Sequence, residues 1–407
     1  MVLFLLRSHK MNKGIQHLAK RCAVGITMIA MVLAGAVNAQ QVKPLQQPQL
    51  VEHQIGAGGA STIFSFFNTC PESPDGSTIA YVRCKKEPSG RDHFAPAELW
   101  VCNRHLKQHH KVIAIAGTAA HNGVEAQWID NKRIAFFDSG KVRLVDIHTG
   151  KDLLKKALQA DGLGHQPHQG KILYNIYTDD GRGAQGIYEL DCNTQQSRLV
   201  LSIKDCAKVT LPAYLQQKDI DSLKYWRTLH SQYSPDGKRI AFRLDIGSSE
   251  RSQLLGICNA DGSGLKIMNK ALHFFWYNNT SIVGHLQVDK NGKRPEVKEK
   301  RYTLTRWDLD GNILEEEMTP PGNHLAMSPD RQHFVSETFY KTNPVVVQLY
   351  TIGHPEATVT IARFDPYDIT WNRRFHVNPA FSRDGKRIYL SHPLNNKYNG
   401  TFYYEIK

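Results

Sequence analysis

This 407-residue chain lacks several signatures, and each absence closes a class of function. None of its seven cysteines forms a CxxC pair, which excludes a zinc ribbon. It contains no G-x-S-x-G elbow, so a serine hydrolase of that kind is excluded. It contains no P-loop and no HExxH pair, so neither a P-loop nucleotidase nor a helix-borne zinc protease is expected. Basic residues do not interleave with aromatics as they do in a nucleic-acid module. Beyond residue 39 no stretch approaches the roughly 18 apolar residues that a membrane-spanning helix needs. No linker separates two halves of the chain, which argues against two smaller β domains.

What is present starts with a targeting segment. Residues 1–39 carry five Lys or Arg and no acid. Lys13, Lys20 and Arg21 precede the mostly apolar run from Cys22 to Ala36, and Val37-Asn38-Ala39 places small residues at a cleavage position. This pattern predicts an exported protein, periplasmic or extracellular, cleaved to begin near Gln40. Residues 40–407 are then expected to form one domain and to act as a monomer. The six cysteines beyond the leader, Cys70, Cys84, Cys102, Cys192, Cys206 and Cys258, allow one disulfide, two or none. The net charge of +13 favours an anionic partner, and acidic polysaccharide suits an exported protein better than nucleic acid.

The strongest internal signal is a repeated turn. Ser73-Pro74-Asp75-Gly76, Ser234-Pro235-Asp236-Gly237 and Ser382-Arg383-Asp384-Gly385 each precede a short apolar strand. A degraded copy is Ser328-Pro329-Asp330-Arg331, and weaker copies end at Asn131, Gly170 and Asn279. Asp bonds its own backbone and Gly accepts positive φ, so each copy reads as a tight turn into a buried strand. The copies lie roughly 40 to 65 residues apart, enough for one four-stranded blade each. Seven copies predict an all-β fold, a seven-bladed β-propeller of four-stranded antiparallel blades closed by pairing of the two ends of the domain.

The turn joins a blade's innermost strand to its second, so the residues just before it face the central channel. His230, His324 and Asn378 each stand four residues before a turn serine. His376 lies two before Asn378, His273 three before Trp276, and Asn68 five before Ser73. Convergent imidazoles in a concave mouth mark a candidate site, and neutral imidazole is a common metal ligand. His273, His324 and His376, with Asn378 alongside, are the expected ligands of a divalent metal, with manganese, zinc and calcium all open.

The Ser-Pro-Asp-Gly turn resembles that of TolB-type propellers. The run Leu229 to Phe242 resembles the blade of the oligogalacturonate lyase family that bears an active-site histidine. Asn259-Ala-Asp-Gly262 with His273-Phe-Phe-Trp276 is similar to that family's N-x-D-G and H-E-F-W run, whose histidine ligates manganese. Asn323-His324-Leu325 resembles its S-H-L, and His376-Val-Asn378-Pro its H-P-H-P, with Asn378 in place of the second ligand histidine. The family's nearby ligand glutamine is replaced by Arg373 or Arg374. Toward the N-terminus, Phe67-Asn68 and the run from His121 to Trp128 resemble ulvan-lyase-like propellers, which use a histidine, a tyrosine and an arginine.

Both resemblances imply β-elimination from a uronic-acid polysaccharide or oligosaccharide. That reaction needs the substrate carboxylate neutralised, a base for the adjacent proton and an acid for the leaving oxygen. His230 is the first candidate base, followed by His121 and Tyr188. Arg182, Arg227 and Arg243 are candidates for carboxylate recognition. The rival reading is a non-catalytic propeller that binds a glycan or a protein partner.

Overall fold

The computed structural model describes residues 48–56, 59–88, 94–214, 223–247, 252–268, 271–286, 304–316, 318–319, 322–338, 343–365, 375–394 and 398–407. Residues 1–39, read as a targeting segment, the expected cleavage position, and Arg373 and Arg374 lie outside the described residues. Seven four-stranded antiparallel sheets follow one another along the chain, and together they form a seven-bladed propeller. Blades 1 to 6 occupy residues 62–118, 127–159, 162–202, 227–268, 271–315 and 325–364. Blade 7 takes three strands from residues 380–406, and its fourth, outermost strand is the early segment Leu50–Ile55. That strand pairs antiparallel with Tyr398–Ile406, from Leu50 opposite Ile406 to Ile55 opposite Thr401. The expected closure between the two ends of the domain is therefore observed.

The repeated turn has a common bonding pattern. In the four Ser-x-Asp copies the serine hydroxyl donates to the aspartate, at 2.6 Å for Ser73 and Asp75 and again for Ser234 and Asp236. The same hydroxyl accepts the backbone N–H five residues on, as from Thr78 to Ser73 and from Arg239 to Ser234, both at 3.0 Å. The glycines at 76, 237 and 385 take φ of 71°, 69° and 72°, the left-handed region where a Cβ is costly. In the degraded copy Arg331 adopts φ of 60° in the glycine's place. The weak copies ending at Asn131, Gly170 and Asn279 also join first to second strands, so all seven turns were correctly placed.

Between the blades the second and third strands are buried on both faces, so they read as near-continuous apolar runs. Seven apolar clusters fill the seven seams. Phe242, Leu244 and Trp226, for example, pack blade 4 against Leu173 and Ile187 of blade 3. Phe334 and Tyr350 of blade 6 pack against Phe275 and Val283 of blade 5. Among the described residues the single α-helix, Ile203–Tyr214, leaves blade 3 and sends Cys206 and Ala207 into the same seam as Trp226. The six cysteines from Cys70 to Cys258 are free thiols, so of the options left open by the count the structure has no disulfide.

The closing seam also carries a polar clasp. Glu72 of blade 1 is fully buried and accepts the Tyr389 hydroxyl at 2.6 Å and the Arg383 N–H at 2.9 Å, both from blade 7. Replacing it leaves the buried Tyr389 hydroxyl and the part-buried Arg383 N–H without this acceptor. Glu72→Ala is expected to lower unfolding free energy by about 1–3 kcal/mol. Urea denaturation of the variant beside the wild type measures this, and an unchanged midpoint would refute it.

Candidate functional site

Six histidines meet near the axis, one at each of six blades: His165, His230 and His273 within blades 3, 4 and 5, and His121, His324 and His376 in the segments that lead into blades 2, 6 and 7. Their rings touch in sequence. Centroid separations are 5.3 Å for His165–His230, 5.9 Å for His230–His273, 4.8 Å for His273–His324, 4.6 Å for His324–His376 and 4.2 Å for His376–His121. Blade 1 contributes Phe66 and Phe67 instead. Phe66 lies 5.1 Å from His121 and 5.7 Å from His230, and Phe67 lies 4.5 Å from His273 and 5.3 Å from His324. The arc of imidazoles thus wraps an aromatic plug.

Two of these histidines sit on irregularities of their inner strands. The pairing of Arg227–Tyr233 with its neighbour shifts between Leu229 and Gln232, and His230 between them has φ of 52°. A second shift, between Ala271 and Phe274, brackets His273. A bulge re-aims a side chain, and a non-glycine residue at positive φ costs about 1–3 kcal/mol that the surroundings must offset. Five of the six rings are buried, whereas His230 is half-buried.

The arc divides into two halves with different backing. His121, His324 and His376 bring one ligand atom each to within 4.8 Å of one another. Behind them the fully buried Glu337 accepts from His324 Nδ1 at 2.9 Å, from Asn323 Nδ2 at 3.0 Å and from the Asn378 N–H at 2.9 Å. Burial pushes the Glu337 carboxyl up to about 7. The other half comprises His165, His230 and His273. His165 Nε2 lies 3.2 Å from His230 Nδ1. Behind this half stands Arg243, buried and paired at 2.8 Å with Asp245. Burial first, then the Arg243 charge, holds His230 well below the ordinary histidine value. Burial holds His165 down to about 4. Burial, then the neighbouring His324, does the same for His273, which is also held well below the ordinary value.

The structure regroups the sequence-predicted residues. His230, His273, His324 and His376 converge as expected, but His121, read as a candidate base, replaces His273 in the metal-competent trio. Blade 1 lies between blades 7 and 2 and places Phe66 and Phe67 here rather than an imidazole, so His376 meets His121 instead. Asn378, read as a ligand, takes φ of 49°, and its side-chain amide donates to the His121 carbonyl at 3.4 Å. It frames the trio. Tyr188 lies on blade 3's third strand, Gly186–Asp191, stacked 5.2 Å from Tyr174 and donating to the Ala184 carbonyl, and does not join the arc. Arg182 is bound to Asp180 and Asp161 on the rim of blade 3. Arg227 lies over the Tyr177 ring at 5.2 Å. Of the three arginines, only Arg243 backs the histidines.

Sequence reading missed His165, Glu337 and the Phe66–Phe67 plug. His165 stands three residues before the turn that begins at His168, so the same spacing rule could have found it. Glu337 lies on a second strand with no local motif around it. On the turn side a funnel of about 530 Å³ opens, lined by Asn68, Gln127, Gln166, Trp276, Arg331 and Arg383 among others. None of the six histidines lines it. Asn68 marks the change of environment, bonded to Gln166 at 2.7 Å and Gln232 at 3.2 Å, while Phe67 before it reaches the imidazoles.

Comparison with known proteins adds the fold relationship. No family model matches the chain. No curated protein matches it in sequence. Among solved structures, an oligogalacturonate lyase in complex with manganese aligns with a TM-score of 0.60 at 13% identity, covering 89% of this chain and 99% of that one. An oligogalacturonate lyase from Vibrio parahaemolyticus aligns with a TM-score of 0.59 at 9% identity, covering 89% and 99%. A prolyl endopeptidase structure aligns with a TM-score of 0.52 at 13% identity, covering 84% of this chain and 48% of that one. At these identities the likeness establishes the propeller fold.

The buried imidazoles imply a pH response. Burial lowers His165 to about 4 and His285, beside His273, to about 3, against 6.5 when unfolded. The unfolded chain therefore binds more protons between those values. Stability is fully present above 6.5 and falls as pH drops toward 4. The guanidinium midpoint is expected to fall between pH 7 and pH 4.5, and more shallowly in His285→Gln. A midpoint that rises on acidification contradicts this.

Proposed function

We propose that this protein is an exported polysaccharide lyase, a single propeller domain over residues 40–407 acting as a monomer. It cleaves a uronic-acid-containing acidic polysaccharide or oligosaccharide by β-elimination. The observation that carries the reading is His230: half-buried in an arc of buried imidazoles, strained onto a bulge, and backed by Arg243. The net charge of +13 and the fold likeness to oligogalacturonate lyases support the same substrate class.

His230 is neutral at neutral pH, so its lone pair is free to take a proton. The arriving uronate carboxylate partly offsets the Arg243 charge and raises the basicity of the imidazole. The base removes the proton from the carbon beside the carboxylate. The electron pair forms a carbon–carbon double bond, the glycosidic C–O bond breaks, and the leaving oxygen takes up a proton. His165, 3.2 Å from His230, shares the proton that the base acquires.

The trio His121, His324 and His376 would hold a divalent ion. Three buried imidazoles with Glu337 behind them suit zinc or manganese. Calcium, which takes six to eight oxygen ligands, suits them poorly. Such an ion, when bound, supplies Lewis-acid polarisation of a carboxylate.

The test is the ultraviolet absorbance of an unsaturated uronate product, followed on pectin fragments, ulvan, alginate and glycosaminoglycans. One of these is expected to be cleaved, and cleavage of none favours a binding propeller. On the cleaved substrate His230→Ala should lower the rate by at least about a hundredfold with little change in thermal stability. Near-full activity in that variant moves the base elsewhere, with His165 tested next.

A further inference from the structure

Glu337 is a buried carboxylate that takes no part in the proton transfers above. It is 1% exposed, on the second strand of blade 6, His333–Glu337. It accepts three hydrogen bonds of 2.9–3.0 Å, two from side chains of its own blade, His324 and Asn323, and one from the backbone of Asn378 in blade 7. A carboxylate buried without a cation costs several kcal/mol, so it must be compensated locally. The nearest groups able to carry compensating charge are imidazoles. His324 is bonded to it directly, and His376 Nδ1 lies 3.2 Å from the same His324 nitrogen. Asn378 also donates from its side chain to the His121 carbonyl. The carboxylate thus bonds one member of the trio directly, His324, whose same ring nitrogen faces His376, and it holds the backbone of Asn378, whose side chain reaches the His121 carbonyl.

From this geometry we infer that Glu337 is a positioning residue for metal capture by His121, His324 and His376. It fixes the tautomer of His324 and supplies the negative charge that a cation in the trio needs. A charged carboxylate facing Nδ1 keeps the proton there and leaves the lone pair on Nε2. Carboxylates hydrogen-bonded to ligand histidines raise ligand basicity, and their loss typically costs about 10–100-fold in metal affinity. Asn323 and Asn378 hold the carboxylate in place, so its orientation does not depend on the ion. The inference rests on the metal-holding role proposed for the trio.

The experiment measures affinity for Mn²⁺ and for Zn²⁺, each by competition with a chromogenic chelator, on wild type, Glu337→Gln and Glu337→Asp, with thermal midpoints alongside. Wild type should bind one ion. Glu337→Gln keeps the shape and loses the charge, and should bind at least about tenfold more weakly. Glu337→Asp keeps the charge but withdraws it from His324, and should fall between the two. If Glu337→Gln does not fold, the aspartate variant decides alone, with at least about a threefold loss expected. Binding within twofold of wild type in the deciding variant overturns the role of Glu337 while leaving the trio as a metal site. A wild-type chain that captures neither ion overturns both.

Discussion

The antiparallel pairing of Leu50–Ile55 with Tyr398–Ile406 closes the ring, and the geometry of the axis depends on that closure. In a closed ring each inner strand has a fixed distance and angle from the axis. The seven seam clusters then lock those positions, because close-packed interiors do not deform continuously. Glu72 reinforces the last seam with two hydrogen bonds, one of them buried. Six imidazoles can therefore be held within ring-contact distance of one another, on strands whose own neighbours leave them little freedom. Groups held on rigid strands keep the close geometry that a binding or catalytic site requires.

Placing so many ionisable rings in one buried space is tolerable because imidazole can be neutral at neutral pH, unlike lysine or arginine. The two flanks of the arc differ in sign. Glu337 lies behind His324 and His376, and Arg243, balanced by Asp245, lies behind His165, His230 and His273. The acidic flank favours a cation among its imidazoles. Burial, with the Arg243 charge adding to it, keeps the imidazoles of the basic flank neutral. On the lyase reading proposed above, a uronate would use both, polarisation of its carboxylate on one side and a neutral imidazole on the other. Phe66 and Phe67 between the flanks add apolar walls, which strengthens electrostatic interactions by excluding water.

Much of this was legible in the residue order because the turn is a local object. The serine–aspartate bond and the backbone bonds within five residues are made inside each copy, so each could be read without knowing its neighbours, although the Asp75 and Asp236 backbone N–H groups also donate to Asn131 and Asn279 of the next blade's turn. Even where Arg331 replaces glycine, the Ser328–Asp330 bond remains and marks the turn. From seven such turns followed the blade count, the strand order within a blade, and the placement of His230, His273, His324 and His376 near the axis. Spacing alone also carried the signal for His165.

What spacing could not supply was adjacency around the ring. His121 and His376 are 255 positions apart in the chain and meet because the blade between theirs carries phenylalanines where the others carry histidine. Asn378 faces a backbone carbonyl because its φ is positive, a choice made by the contact with Glu337. Tyr188, Arg182 and Arg227 have suitable chemistry for the reaction, but their strands and ion pairs hold them elsewhere. Arg243 and Glu337, both on second strands, are the charges that distinguish the two flanks. Local hydrogen bonding and apolar pattern thus sufficed for the fold and for which residues approach the axis. Which imidazoles come together, and which charge stands behind them, was decided by ring closure, since those contacts join segments that no local interaction connects.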